Sequence, residues 1–275
     1  MSLEYAVITS KKDTAGRNIK EALEKFGSKV YEFDKDIVNL EDIDEEESIK
    51  DAELIIFASR HYSGEGRKNF CVHSIGNWKK ADYGGKDGTL VKTSALMIKE
   101  MSIILQRNAE EAKSKGIIDK EYEFSLEATH HGPYVEKLCM FVEVGGTEKE
   151  WSDLKAIEVL ARSIKEFITG YDEHRDNNEN NNYKPAIAVG GLHYCQSFNR
   201  IQLSSKYAIS FIAPKYALPL NKELIEQAIE KTSEKISTVI IDYKGLGNAE
   251  MRDKTITLLR ECGLEIIRTS EINNN

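Results

Sequence analysis

Tyr5-Ala6-Val7-Ile8-Thr9, answered after one helical segment by Lys29-Val30-Tyr31-Glu32-Phe33, is the stretch that sets the fold class. The first run is largely apolar without alternation, which suits a strand buried on both faces of a parallel sheet. Between the two runs Ile19, Leu23 and Phe26 recur at helical spacing, Asp13 or Thr14 can cap the start, and Gly27 stops it. Strand, helix and strand with short connections predict a parallel sheet covered by helices. The rest of the chain extends this pattern. Glu53–Ser59, Leu138–Val144, Pro185–Val189, Tyr207–Ala213, Thr238–Asp242 and Glu265–Arg268 read as strands. Helices are expected over Thr89–Lys115, Thr147–Thr169, Asn221–Lys235 and Asn248–Cys262, and Thr147 with Glu150 resembles a capping box. The expected architecture is α/β, in three α/β/α layers with a mostly parallel, mixed central sheet, as one domain over residues 1–275.

Composition narrows the class. The 275 residues are 31% charged and 40% hydrophobic, ordinary for a soluble globular protein, and no apolar run suits a membrane span. Met1-Ser2-Leu3-Glu4-Tyr5 leads straight into the first strand, so no signal peptide is expected. Cys71, Cys139, Cys195 and Cys262 form no CxxC pair, which argues against a disulfide framework or cysteine zinc site and for a reducing, cytoplasmic setting. A net charge of −8 argues against a general nucleic-acid-binding protein, and no DNA partner is expected. Locally the balance inverts: Arg60, Arg67, Lys68, Lys79, Lys80 and Lys86 face only Glu65 and Asp82 in their stretch. The loop after the first strand lacks GxGxxG, which disfavours a nicotinamide cofactor, and Lys244-Gly245-Leu246-Gly247 is an incomplete phosphate motif. Asp172–Asn182, with five asparagines and no apolar residue, reads as a mobile surface loop.

Chemistry concentrates in the histidines. The chain has six, and His130-His131 stand side by side within Glu127-Ala128-Thr129-His130-His131-Gly132-Pro133. Imidazole titrates near neutrality and is the commonest metal ligand, and a nearby carboxylate can fix its tautomer. His61 follows the third strand directly, where open α/β sheets bind ligands. His73 lies in a stretch with six glycines between Gly64 and Gly88, expected as a loop, and His193 follows Gly190-Gly191, which can let backbone approach a ligand. The amides opening the Thr89–Lys115 helix are a further candidate anion site. Glu143, near a strand end, can meet the histidines or face solvent.

Read together, Ser59-Arg60-His61-Tyr62-Ser63, His73-Ser74-Ile75-Gly76-Asn77, the Glu127–Pro133 stretch and Val189-Gly190-Gly191-Leu192-His193-Tyr194 resemble the archaeal-and-plant class of D-aminoacyl-tRNA deacylases. The resemblance spans essentially the whole chain. It implies hydrolysis of the ester joining a D-amino acid to tRNA, zinc dependence, and a fold akin to peptidyl-tRNA hydrolases and nucleoside phosphorylases. Which histidines hold metal is not settled by the resemblance. An all-histidine ligand set of His61, His73 and His130 is our assignment, with Glu127 or His131 as base or partner and His193 on the substrate. The six basic residues named above are the candidate tRNA contacts, with Trp78 or Tyr83 stacking on an end base. The expected state is a monomer or small homo-oligomer. A nucleoside phosphorylase or small-substrate metallohydrolase, and a non-catalytic tRNA-binding module, are the competing readings.

Overall fold

The computed structural model describes residues 4–175 and 182–272. Its strands are β1 (Tyr5–Ser10), β2 (Val30–Phe33), β3 (Leu54–Tyr62), β4 (Asn69–His73), β5 (Gly76–Asn77), β6 (Thr89–Leu90), β7 (Glu123–Leu126), β8 (Leu138–Gly146), β9 (Lys184–Val189), β10 (Tyr207–Ala213), β11 (Thr238–Ile241) and β12 (Glu265–Arg268). The helices are α1 (Thr14–Lys25), α2 (Ala95–Ser114), α3 (Glu148–Trp151), α4 (Leu154–Arg175), α5 (Gln196–Ser204), α6 (Lys222–Glu230) and α7 (Ala249–Glu261). The opening β-α-β unit forms as expected, with β1 parallel to both β2 and β3.

The strands divide between two main sheets. The larger runs β2-β1-β3-β8-β4-β7 and is parallel except where β4 meets β8. The smaller, β10-β9-β11-β12, is parallel throughout. Alternation along β3 explains how the larger sheet is covered. Ile56 and Ala58 join Ile19 and Leu23 of α1, Leu105 of α2 and Leu160 of α4. Their neighbours Ile55 and Phe57 pack instead on Ile37, Leu40 and Ile43, which belong to short 3-10 turns and loop rather than to long helices. The helix-side core continues without a break into Ala186, Ile209 and Ile240 of the smaller sheet. That sheet's other face is closed by Leu224 and Ile225 of α6 and Leu259 of α7. No helix among the described residues is long and apolar enough to cross a membrane.

Several local expectations change. The Thr89–Lys115 helix begins only at Ala95, because Thr89–Leu90 pairs with β5. Its first turn is no open anion site: the Glu234 carboxylate already accepts from Ser94 Oγ, Ala95 N and Leu96 N. His73 sits on β4 inside the larger sheet, not in a loop, since Asn69–His73 pairs on both edges. The capping box Thr147/Glu150 does form, but it starts the four-residue α3, and Asp153 restarts the chain as α4 by accepting from Lys155 N and Ala156 N. Residues 172–175 of the expected loop continue α4, and most of its remainder lies outside the described residues.

Candidate functional site

Register alone gathers the polar centre. Parallel pairing of β3 with β8 sets Ser59 opposite Glu143, and antiparallel pairing of β4 with β8 sets Cys71 opposite the same glutamate. Two residues on, along the same face, come His61 and His73. Phe57 stacks on Phe141, and Phe141 on His73 with the rings 6° from coplanar, so apolar core passes directly into the polar cluster. Glu127 follows β7, donating its amide to Val72 O. The next residues cross between sheets: Thr129 donates to Ile212 O of β10, and its hydroxyl bonds Ser74 Oγ at 2.6 Å and Ile212 N at 2.9 Å. His193 arrives from the loop after β9, its carbonyl accepting from Ala128 N. The site is therefore a seam between the two sheets.

The turn carrying the histidine doublet is tightly built. His131 has φ 44°, a left-handed conformation costing a β-carbon residue roughly 1 kcal/mol or more. Gly132 is required by close approach, since a Cβ there would lie 2.2 Å from Gly85 N. The expectation for Gly190-Gly191 changes in the same way. A Cβ on Gly190 would meet Asp242 O at 2.8 Å, and one on Gly245 would meet Gly191 N at 2.2 Å, so these glycines serve contact between chain segments.

Two buried carboxylates anchor the centre. Glu143 accepts from Ser59 Oγ at 2.8 Å and lies 3.4 Å from His61 Nδ1. Glu127 lies 3.2 Å from the same Nδ1 through Oε1, which also accepts from Cys71 Sγ. The other nitrogen of His61, Nε2, is 3.1 Å from Tyr194 Oη. Burial works to raise the Glu127 carboxyl, but the interactions with His61 first and His193 second outweigh it and hold it at about 2. Burial works to lower His61 and His73, yet the two carboxylates leave both above the ordinary value. His130 and His131 go the other way: burial and neighbouring imidazoles depress both, His131 to about 4, so they are neutral at pH 7. Burial and both carboxylates push Cys71 well up, and it stays a thiol.

Three imidazoles share one hydrogen-bond habit. Nδ1 of His73, His130 and His131 each bonds a backbone carbonyl, of Ser74 (3.1 Å), Ala128 (2.8 Å) and Gly132 (2.6 Å). A carbonyl only accepts, so each Nδ1 carries hydrogen and each Nε2 keeps a lone pair in the neutral ring. His73 Nε2 and Glu127 Oε2 are fully buried and have no hydrogen-bond partner, although they lie 3.9 Å apart. Glu127 Oε2 is also 3.8 Å from Nε2 of both His130 and His193. Such distances are too long for hydrogen bonds, whereas buried polar atoms normally find partners. Among the described residues, three groups offer ligand atoms within 4.8 Å of one another: His73, His130 and His131; His61, Cys71, Glu127 and Glu143; and Glu127, His130 and His193. These donors fit a cation such as zinc.

A cavity of about 720 Å³ opens onto this centre, lined by His61, His130, His131, His193, Tyr83 and Tyr194 among others. Most side chains of the basic stretch already have partners. Arg60 lines that cavity but lies near Asp36, Arg67 pairs with Glu65, and Lys68 with Asp119 and Glu121. Lys79 donates to two backbone carbonyls, Lys86 sits 3.6 Å over the Tyr134 ring, and Lys80 is exposed. Trp78 is not available for stacking: it is 6% exposed, its Nε1 bonded to Ile212 O, because its ring fills core between β10 and β6. Tyr83 remains exposed on the cavity rim. Ser59, Cys71, Tyr194 and Tyr216, whose hydroxyl lies 3.0 Å from His193 Nδ1, were not singled out from the sequence as site residues. Only strand register, which no local pattern encodes, would have found the first two.

The fold and this seam define an α/β protein with a buried histidine–carboxylate centre suited to a metal ion. A family model described as D-aminoacyl-tRNA deacylase matches residues 48–267, and the chain belongs to that family. D-aminoacyl-tRNA deacylase of Thermococcus kodakarensis is 34% identical over 95% of this chain and 98% of its own. That of Archaeoglobus fulgidus is 32% identical, covering 98% of each. A crystal structure of a conserved protein of unknown function superposes with a TM-score of 0.84 at 30% identity, covering 98% of this chain and 96% of the other.

Proposed function

We propose that the protein hydrolyses the ester of D-aminoacyl-tRNA, releasing free D-amino acid and tRNA, with zinc held by His73, His130 and His131. The observation that carries the site assignment is the shared tautomer of these three rings beside an unpartnered buried carboxylate oxygen. His131 takes the place given to His61 in the sequence-based set, because both nitrogens of His61 are already engaged. When bound, zinc supplies Lewis acidity and makes water more acidic. The protein's own groups do the rest. Glu127, held ionised at about 2, is a weak base and an effective acceptor: its Oε2 orients the attacking water. His193, half-buried at the cavity mouth with Nε2 3.8 Å from that oxygen, takes a proton from water and passes it to the departing ribose oxygen. Glu143 holds His61 beside both carboxylates, where the imidazole charge offsets theirs.

The test compares release of D- and L-amino acids from charged tRNA, with and without chelator. Selective, chelator-sensitive release of the D form is expected; equal release of both, or turnover of free nucleosides instead, overturns the reading. Metal analysis checks the ligands apart from activity. Single alanine variants of His73, His130 and His131 should each lower zinc affinity by at least tenfold, and His61→Ala should retain zinc.

A further inference from the structure

Few large rings are exposed among the described residues, and one of them touches the histidine centre. Tyr216 is 55% exposed. Its hydroxyl is 3.0 Å from His193 Nδ1, and its ring lies 22° from parallel to the His193 imidazole at 6.5 Å, so the ring is held in place beside the histidine centre. Tyr216 also lines a second cavity of about 480 Å³, together with Lys215, Lys244, Gly245 and Asn248. Lys215 and Lys244 are exposed and form no ion pair among the described residues. A third ammonium, Lys79 Nζ, is fixed against this edge by the carbonyls of Tyr216 and Leu218, both at 2.9 Å, rather than by a carboxylate.

We propose that Tyr216 is the stacking platform for the terminal base of the substrate's single-stranded 3′ end, and that Lys215, Lys244 and Lys79 hold the phosphates of the nucleotides leading to it. This rests on the deacylase reading above and adds the path of the polynucleotide to it. An ester bond beside His193 places the attached nucleoside within reach of the neighbouring ring. A π-face accepts any base, and unpaired lysines beside it supply the positive charge that a phosphate chain needs on a protein of net charge −8. The incomplete Gly-x-Gly stretch at Lys244–Gly247 thus contributes through its lysine.

The probes are uncharged tRNA and the same tRNA lacking its terminal adenosine. The wild type should bind the intact form about tenfold more tightly, within the range given by one stacked base. Tyr216→Phe should keep that preference, Tyr216→Leu should bring it close to one, and the Lys215→Ala/Lys244→Ala double variant should weaken both tRNAs alike and flatten the salt dependence by about two phosphate contacts. A Tyr216→Leu protein that still prefers intact tRNA overturns the stacking assignment, and an unchanged salt slope in the lysine variant overturns the phosphate path. If the wild type deacylates D-aminoacyl-tRNA but binds both probes equally, this inference alone fails. If it neither deacylates nor binds tRNA, the functional reading fails with it.

Discussion

Glu127 shows how one side chain can be both structural and chemical. Its carboxylate is buried against His61, with His73, His130 and His193 within 3.9 Å, and is held at about 2 against an ordinary value near 4.5. The folded state therefore binds fewer protons than the unfolded chain between those values, and stability rises with pH across that window. The contribution is present above about pH 4.5 and is lost as pH falls through the depressed folded-state value. Urea unfolding between pH 5 and 2 should show a shallower decline in Glu127→Gln than in wild type, and an equally steep one would overturn this account. His61 and His73 carry the opposite sign. Their raised values stabilise the fold below about pH 6.5, and this is lost as pH rises through the folded-state values.

At the scale of elements, α2 is tied to α5 and the start of β10 by a buried cation. Lys99 is 1% exposed, and its ammonium donates to the carbonyls of Gln202 (2.5 Å), Ser205 (2.9 Å) and Tyr207 (2.9 Å). These belong to the last turn of α5 and its exit into β10, where unsatisfied carbonyls favour a positive charge. Burial lowers Lys99 to about 8, which still leaves it protonated at pH 7. Lys99→Met removes the donor and strands three acceptors. We expect a loss of about 2–4 kcal/mol in denaturant unfolding, with most of the fraying at α5 seen by hydrogen exchange. A change under 1 kcal/mol would show that water satisfies these carbonyls instead.

For the molecule as a whole, the link between sheets is the Glu127–His131 segment. Thr129 carries it, with its amide on Ile212 O and its hydroxyl shared between Ser74 and Ile212 N. Thr129→Val keeps the shape and removes the hydroxyl, leaving a buried amide and a serine short of partners. A cost of about 1–3 kcal/mol is expected. With zinc at the proposed site, its affinity should fall in parallel, because His130 is then held less firmly; unchanged zinc binding in a destabilised variant would separate the seam from the centre.

Local patterns settled a good deal. Apolar runs and helical spacing marked β1, β10, β12, α1 and the helical body of α4, since these are short-range consequences of side-chain period. The Glu127–Pro133 stretch could be recognised because its residue types are rare and chemically pointed. Glu143 stayed ambiguous, because a carboxylate near a strand end faces solvent or core according to neighbours hundreds of atoms away in the chain. The loop expected around His73 failed for a related reason: glycines at Gly76 and Gly84-Gly85 mark close packing, and pairing with β7 and β8 overrode the turn signal at Asn69–His73.

By itself, the sequence determined the α/β class, the family resemblance and the chemically active residue types. Only the tertiary structure decided that there are two main sheets, that the histidine centre lies in the seam between them, and that His61 is held between carboxylates and a tyrosine while Nδ1 of His73, His130 and His131 faces a backbone carbonyl. The physical reason is that periodicity and composition act over a few residues, whereas register, burial and the choice of hydrogen-bond partner for each ring nitrogen depend on segments far apart in the chain.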